Sequence, residues 1–276
     1  MQHISLNKQG VLHQIIILPK TTNPLPQTNR LIRYFRSSRI VFHTLIGILI
    51  VAVILPLASK PTKLKLISWW CRYLLAAFNI RVISKGHIPP ATSLGNNMFV
   101  SNHVSWADIH ALNSIVPVKF IAKSEIKDWP IFGYLAKVNA LFIDRAKRQD
   151  AARVVDITAQ SLLDGYNLCL FPEGTTTNGT EIKPFKSSLI QAAIQAKATI
   201  WPVAIRYPLP NGGVNTAMAY AGEVTLPESM QAVLKQKNPV VELTFLQPIH
   251  LDNEVTKDRR TLTLHIEQLI RQELKL

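Results

Sequence analysis

Residues 98–122 read MFVSNHVSWADIHALNSIVPVKFIA, and their pattern predicts a strand, a helix and a second strand in succession. The runs 98–102 and 118–122 are short and mostly apolar, as buried strands are, whereas the apolar residues of 106–115 recur at helical spacing. Two strands joined through a helix normally lie parallel in one sheet. This stretch therefore predicts an α/β fold.

The same alternation continues along the chain. Further strands are predicted at 140–144, 167–171, 199–207 and 240–246. Helices are predicted at 147–164, which ends at Gly165, and at 186–197 and 254–275. We therefore predict an α/β domain over residues 81–276, with a mixed, largely parallel sheet flanked by helices.

Composition narrows the class of protein. The chain has 276 residues, of which 47% are hydrophobic and only 17% charged, which excludes intrinsic disorder. Its two cysteines, Cys71 and Cys169, exclude a disulfide framework and a cysteine zinc site, and they indicate a reducing compartment. Seven of the eight histidines show no pairing with metal-ligand spacing. We predict neither a metal nor a bound cofactor.

The positive charge is concentrated at the start of the chain. The formal net charge is +14, and the first acidic residue is Asp108, so the 12 Lys and Arg residues before it have no acidic partner nearby in sequence. A basic arm of this kind predicts a polyanion, either an anionic membrane surface or nucleic acid. The arm has no aromatic RNA-binding signature, zinc finger or dense Lys/Arg run, so we predict no nucleic-acid partner.

A membrane segment lies within this arm. Residues 40–58 carry no formal charge, and as a helix they would be roughly 28 Å long, close to the ~30 Å hydrocarbon core of a bilayer. The alternative is a buried core helix. A second helical stretch, 63–80, contains Trp69, Trp70 and Tyr73 among cations, a mixture typical of the membrane interface.

Basic residues flank the apolar stretch in nearly equal numbers, which favours a hairpin that returns to the same membrane face over a single crossing. We predict a basic lead-in at 1–39 and a membrane-associated helical hairpin at 40–80. The predicted location is the cell (inner) membrane, with the α/β domain on the cytoplasmic face.

Polar residues follow three of the predicted strands: Asn102-His103, Asp144-Arg145 and Pro172-Glu173-Gly174. Ligands of open α/β sheets bind beyond the carboxyl ends of the strands, so these groups are expected on one rim.

His103 and Asp108 form the first candidate constellation. His103 leaves a strand and Asp108 falls in the first turn of the next helix, so the carboxylate can fold back onto the imidazole. An Asp bound to one ring nitrogen fixes the tautomer and leaves the other nitrogen as a general base. With no protein serine assigned, a substrate hydroxyl is the expected nucleophile. The alternative is a helix-capping Asp beside a surface His.

Two further candidates are the loop from Phe171 to Gly179 and the side chain of Arg145. The loop reads FPEGTTTNG, whose backbone and hydroxyl donors suit an anionic or polyol head group. Arg145 could clamp a phosphate or carboxylate through two parallel hydrogen bonds. The alternatives are an ordinary turn and a solvated charge.

Four motifs occur in order: NHVSWAD at 102–108, KSEIKDWPIFGYLAKVNALFIDR at 123–145, FPEGT at 171–175 and WPVAI at 201–205. Together they resemble the glycerolipid acyltransferase family, whose best-known members are 1-acylglycerol-3-phosphate acyltransferases. The resemblance covers roughly residues 80–250. It implies that His103 is the catalytic base and Asp108 its orienting partner.

The resemblance also implies the substrates. It predicts acyl-CoA or acyl carrier protein as the thioester co-substrate, a lysolipid acceptor and contact with membrane lipids, without metal or cofactor. The substrate-binding residues that it implies are Asn102, Ser105, Lys123, Arg145, Phe171, Pro172, Glu173, Gly174, Thr175, Lys186, Pro202 and Val203. Among them, Arg145 and Glu173–Thr175 resemble acceptor-binding motifs, and the WPVAI motif resembles one linked to the acyl donor.

Two residues depart from the family pattern. Thr176 stands where the third motif commonly has arginine, and Ser187 follows Lys186 where glycine is common. The first acceptor predicted is 1-acylglycerol-3-phosphate, with phosphatidic acid as the product. Because the loop lacks that cation, lyso-ornithine lipid is the alternative acceptor. More remote alternatives are a non-catalytic membrane lipid-binding protein and a thioester hydrolase.

Overall fold

A computed structural model describes residues 25–90, 95–128, 131–143, 151–251 and 258–276. The predicted site residue Arg145 and most of the predicted lead-in at 1–39 lie outside these ranges.

Eight α-helices and seven strands are assigned in the described residues. The helices are α1 Arg30–Leu49, continued by a π-helical stretch Ile50–Ile54, α2 Lys60–Ala77, α3 Ala107–Ile115, α4 Phe132–Ala136, α5 Ala151–Leu163, α6 Ile190–Gln195, α7 Leu226–Lys235 and α8 Arg259–Leu274. The strands are β1 Arg81–Gly86, β2 Asn97–Ser101, β3 Lys119–Lys123, β4 Ala140–Ile143, β5 Leu168–Leu170, β6 Thr199–Arg206 and β7 Val240–Phe245.

The strands form one sheet in the order β1-β7-β6-β2-β5-β3-β4. All neighbouring strands are parallel except β6 and β7, which are antiparallel. The central strands β2 and β5 are buried along their length, as the apolar runs in their sequences require. Helices α2 and α3 contribute to the hydrophobic core on one side of the sheet, and α5, α6 and α8 contribute to a second core. The predicted α/β fold with a mixed, largely parallel sheet is confirmed.

Sequence spacing did not predict β1 and α7. The strand β1 lies at the sheet edge and is mostly exposed, so its sequence RVISKG lacks a clear buried pattern. The start of α7 does carry a signal, because Thr225 and Glu228 form a capping box around Leu226-Pro227. The prediction of helix from 186 was wrong, since α6 begins only at Ile190.

The N-terminal helices form an antiparallel pair. His43 and Trp70 hold them together reciprocally: Trp70 Nε1 donates to the His43 carbonyl at 3.2 Å, and His43 Nε2 lies 2.8 Å from the Trp70 carbonyl. The two rings also stack, with centroids 5.2 Å apart. Helix α1 begins at Arg30, with Asn29 as its N-cap, so residues 30–39 of the predicted lead-in are helical.

The two helices have different surroundings. Leu74 and Leu75 of α2 and its C-cap residue Phe78 are buried in the core of the α/β domain. By contrast, Arg30–Ile54 is long and apolar enough to cross a membrane by length and composition, and only 17% of its most apolar 18-residue window is buried. The alternative of a buried core helix for this segment is therefore wrong.

The crossing of the two helices depends on Gly47. A Cβ atom at this position would lie 2.4 Å from Trp70 Nε1 and 2.9 Å from its Cε2. With an overlap this deep, overpacking by Gly47→Ala should cost about 2–3 kcal/mol, and the ~1 kcal/mol higher helix propensity of alanine offsets part of it, which leaves a net destabilisation of about 1–2 kcal/mol. Thermal unfolding in detergent measures the net change. Ser38→Ala, at an exposed position of the same helix, should stay within about 0.5 kcal/mol of wild type. Equal stability of the two variants would contradict the close approach.

Candidate active site

The segment that follows β2 holds Asp108 at the start of α3. Its carboxylate Oδ2 accepts the backbone N–H groups of Val104 at 2.7 Å and Ser105 at 2.8 Å. These amides precede the helix, so the side chain folds back over its own N-terminus, where negative charge is favoured. The Asp108 side chain is fully buried.

His103 is oriented by this carboxylate. Its Nδ1 lies 2.8 Å from Asp108 Oδ2, and 17% of the His103 side chain remains exposed. An ionised carboxylate can only accept hydrogen bonds, which assigns the proton of a neutral imidazole to Nδ1 and leaves Nε2 as an acceptor. The structure thus brings together the two residues that the sequence paired, in the geometry of an oriented general base.

Tyr207 supplies a further hydrogen bond to Asp108, and the sequence did not predict this residue as part of the site. Its hydroxyl donates to Asp108 Oδ1 at 2.6 Å, so the carboxylate receives donors on both oxygens. Burial, and then the negative charge of Asp108, raise the pKa of Tyr207 well above its ordinary value, which keeps the phenol protonated and donating. A signal existed: Tyr207 ends a predicted strand, as His103 follows one.

Phe171 fixes the plane of the imidazole. The rings of Phe171 and His103 stack with centroids 3.9 Å apart and an interplanar angle of 6°. Phe120 in turn stacks on Phe171, with centroids 5.6 Å apart. Phe171 directly follows β5, the strand beside β2. Its ring therefore holds the imidazole in place by stacking, in addition to any contact with a substrate.

Glu173 binds backbone amides with both carboxylate oxygens. Oε1 accepts from His103 N at 2.7 Å and Oε2 accepts from Lys183 N at 2.8 Å. Burial raises the pKa of Glu173, and this effect outweighs the two hydrogen bonds, which lower the pKa. Only 3% of Glu173 is exposed. This geometry gives Glu173 a positioning role toward the His103 backbone, and the acceptor contact that the resemblance implies stays a prediction.

The loop after Phe171 makes a second hydrogen bond to His103, since Thr177 N donates to the His103 carbonyl at 2.9 Å. Gly174 has φ +74°, and a Cβ there would lie 2.9 Å from Lys186 Nζ, so glycine lets the Lys186 ammonium approach the loop. Lys186 and Thr175 are exposed and can meet a ligand. Thr176 instead turns toward the backbone, donating to the carbonyl of Tyr220.

Several of the residues implied by the resemblance are buried and bonded within the protein. The Asn102 amide donates to the Ile205 carbonyl at 2.9 Å and accepts from Ile205 N at 2.8 Å, which fixes β2 to β6. Ser105 and Val203 are fully buried, and Pro202 lies within β6. These side chains thus pack and position the strands beside His103, and their contact with a substrate stays a prediction.

The side chains of two predicted substrate-binding residues are not described. Arg145 lies outside the described residues, and of Lys123 only its place at the end of β3 is described. Their roles remain predictions. No group of three or more His, Cys, Asp and Glu side chains within the described ranges could hold a metal ion.

We expect Tyr207→Phe to reduce both stability and turnover. Removing the hydroxyl leaves Asp108 Oδ1 without this donor in a buried site, at a cost of about 1–3 kcal/mol in the free energy of unfolding. Urea unfolding followed by tryptophan fluorescence gives the stability, and steady-state kinetics give kcat. A variant with wild-type stability and turnover would show that the hydroxyl does not support the carboxylate.

The fold and site define an α/β protein in which a histidine, oriented by a buried carboxylate, lies at the carboxyl ends of the strands. Residues 79–206 match the family model described as Acyltransferase. A lyso-ornithine lipid O-acyltransferase of Pseudomonas aeruginosa is 35% identical over 213 residues, covering 76% of this chain and 79% of that protein. A 1-acyl-sn-glycerol-3-phosphate acyltransferase of Neisseria gonorrhoeae is 35% identical over 184 residues, covering 66% of this chain and 71% of that one.

The fold has a solved counterpart. The crystal structure of the 1-acyl-sn-glycerophosphate (LPA) acyltransferase PlsC from Thermotoga maritima superposes with a TM-score of 0.64 at 20% identity, covering 89% of this chain and 92% of that one. The chain belongs to the acyltransferase family, and it is an enzyme of that class. The family resemblance of the four motifs is thereby confirmed.

Proposed function

We propose that the protein transfers a fatty acyl group from a thioester, either acyl-CoA or acyl carrier protein, to the free hydroxyl of a lysolipid. The observation that carries the proposal is the His103 imidazole, bound through Nδ1 to buried Asp108 and partly exposed at the rim. The two relatives described above are lysolipid acyltransferases by name, which supports the same class of acceptor.

The reaction follows from this geometry. His103 Nε2 removes the proton of the lysolipid hydroxyl as its oxygen attacks the thioester carbonyl carbon, and Asp108 stabilises the imidazolium that forms. Collapse of the tetrahedral intermediate forms the ester and breaks the C–S bond. The thiolate leaves readily, since thiols have a reference pKa near 8.5, and the proton on His103 returns to it or to solvent.

The first candidate acceptor is 1-acylglycerol-3-phosphate, which would give phosphatidic acid. Lys186 supports it, because this exposed lysine lies against Gly174 beside the base and can meet a phosphate. The Neisseria gonorrhoeae relative is named for this acceptor.

The second candidate is lyso-ornithine lipid, favoured by Thr176. Where the family motif commonly has arginine, this threonine donates to the Tyr220 carbonyl and adds no cation to the loop. A head group that carries its own amine needs fewer protein cations. The Pseudomonas aeruginosa relative is named for this acceptor.

One assay tests the reaction and separates the acceptors. The full-length enzyme in mixed micelles receives acyl-CoA or acyl carrier protein thioester, with 1-acylglycerol-3-phosphate and lyso-ornithine lipid offered together. Formation of either diacylated product supports acyl transfer, and the ratio of the two products identifies the acceptor. Free fatty acid released at the same rate without a lysolipid would show a hydrolase, and no consumption of either thioester would overturn the proposal.

We further propose that α1 lies in the cell membrane with the α/β domain on its cytoplasmic side. Phe35, Phe42 and Leu49 form a stripe at seven-residue spacing, with exposed fractions of 63%, 67% and 60%. The start of α1 is fixed to the domain, since Arg36 donates to the carbonyls of Gln236 and Lys237 at 2.8 and 2.9 Å. A helix held along the domain favours insertion into one leaflet. The two buried free cysteines agree with a reducing compartment.

Replacing the stripe by Phe35→Ser, Phe42→Ser and Leu49→Ser should release the protein from vesicles. Each large apolar side chain contributes roughly 1.5–3 kcal/mol when fully buried, so the three substitutions together should weaken insertion by several kcal/mol. Flotation with phosphatidylglycerol vesicles measures the bound fraction. Polar replacement of Leu264, which is 60% exposed on α8, serves as the control and should leave binding unchanged. Full retention of the triple variant would place the membrane contact elsewhere.

A further inference from the structure

A cleft at the turn of the helix pair lies outside the site described above. Its volume is about 380 Å³. The helical side is lined by Val51, Leu55, Lys60 and Lys63, and the sheet side by Lys119 and Tyr166. We call it the hairpin cleft.

The hairpin cleft and the active site lie at opposite ends of the strands: the cleft at their amino ends and the site at their carboxyl ends. Lys119 is the first residue of β3, and Tyr166 precedes β5. His103, by contrast, follows the carboxyl end of β2, which is parallel to β5, and β5 is parallel to β3. The cleft is therefore no part of the rim that holds the base.

Three ammonium groups reach the cleft without an ion-pair partner among the described residues. Lys60 and Lys119 both lie against the Tyr166 ring, at 3.9 and 3.3 Å from its centroid. Lys60 also donates to the carbonyls of Asp164 at 3.0 Å and Gly165 at 3.2 Å, and these neutral acceptors do not cancel its charge. Burial and the neighbouring Lys60 lower the pKa of Lys119, while the charge of Asp164 raises it. An anion in the cleft would relieve this repulsion.

Apart from Asn139, the rest of the lining is apolar, and it continues into the proposed membrane segment. Val51 belongs to the π-helical stretch at the end of α1, and Leu64 and Ile67 come from α2. Beside them, Leu57 in the turn is 89% exposed. The cations can bind an anionic head group, and the apolar wall beside them, which faces the membrane, can bind acyl chains. These features together fit an anionic amphiphile, because a soluble anion would make no contact with the apolar wall.

We propose that the hairpin cleft binds an anionic membrane phospholipid, with its phosphate among Lys60, Lys63 and Lys119 and its chains against the apolar residues of the helix pair. The proposal rests on the proposed membrane location of α1. Such a lipid would fix the helix pair to the amino ends of the strands, at a site separate from the reacting lysolipid.

Native mass spectrometry of the full-length protein in non-ionic detergent tests this binding without any need for acyl transfer. The probes are dioleoyl phosphatidylglycerol, dioleoyl phosphatidylcholine and soluble sn-glycerol 3-phosphate. Wild type should retain one phosphatidylglycerol at about tenfold lower concentration than phosphatidylcholine. The Lys63→Met and Lys119→Met double variant should bind phosphatidylglycerol about ten- to thirtyfold more weakly, at ~1 kcal/mol for each lysine. Lys65→Met with Lys127→Met removes two exposed lysines that do not line the cleft, and should change binding less than about twofold.

Three outcomes would overturn the proposal: no preference of wild type for phosphatidylglycerol, equal loss in the control variant, or glycerol phosphate binding as tightly as the lipid. If the double variant does not fold, Lys63→Met alone supplies the test, because this partly exposed side chain makes no hydrogen bond among those described. It should lose about fivefold in phosphatidylglycerol affinity. Because the readout is binding, a failure here is distinguishable from a failure of the proposed reaction.

Discussion

Replacing His103 by alanine is expected to lower kcat for acyl transfer by about 10²–10⁴-fold, with binding to vesicles unchanged. The substitution removes Nε2, the group that we assign to take the hydroxyl proton, and leaves α1 untouched. Rapid-quench or steady-state assays with the preferred acceptor measure the loss. His265→Ala, at an exposed position of α8, is the matched control and should keep wild-type turnover.

The same variant, assayed with and without a lysolipid, distinguishes the acyltransferase from a thioester hydrolase. If a thioester hydrolase operated through the same base, His103→Ala would abolish release of free fatty acid, and a lysolipid would not change the rate. If near-normal transfer to the lysolipid survives the substitution, the histidine is not the base and the proposed mechanism fails.

Replacing Asp108 by asparagine should have an effect of similar size on turnover and a larger one on stability. An asparagine can present its NH₂ group toward Nδ1, which favours the wrong imidazole tautomer, and loss of an orienting carboxylate of this kind costs about 10⁴-fold in serine proteases. The backbone amides of Val104 and Ser105 and the Tyr207 hydroxyl also lose a buried carboxylate acceptor. We expect a loss of about 2–5 kcal/mol in the free energy of unfolding.

Asp258→Asn provides a control with similar local geometry. Asp258 also accepts a backbone amide at a helix start, from Thr261 at 2.8 Å, but it is exposed and caps α8. Asparagine caps helices about as well as aspartate, so this variant should remain within about 0.5 kcal/mol of wild type. The turnover of Asp108→Asn should be compared with that of wild type at a temperature where both proteins are folded. Wild-type kcat under those conditions would show that the carboxylate has no orienting role.

The sequence predicted the parts of the fold and site that depend on local spacing. The strand–helix unit at 98–122 specifies both the parallel sheet and the approach of Asp108 to His103, because the two residues lie across one turn. Apolar runs such as 167–171 mark the central strands, since these are buried on both faces.

What the sequence did not predict depends on residues distant along the chain. Tyr207 reaches Asp108 from 99 residues away, and Glu173 reaches the His103 amide from 70 residues away. No spacing rule connects such pairs, which are set by the order in which strands join the sheet. The start of α1 was missed for a different reason, because the arginines of residues 30–39 mask a helix whose buried Arg36 binds backbone carbonyls of a remote segment.

The loop that carries Glu173 and Thr177 holds His103 by its main chain, at both the N–H and the C=O group. Transplanting this loop from a relative in order to change acceptor choice would therefore also relocate the base. A graft should keep its activity only if it preserves the Glu173 carboxylate and the Thr177 amide in register with β2. Engineering of acceptor choice is thus better confined to exposed positions such as Thr175 and Lys186, whose side chains can be exchanged without altering the backbone that supports His103.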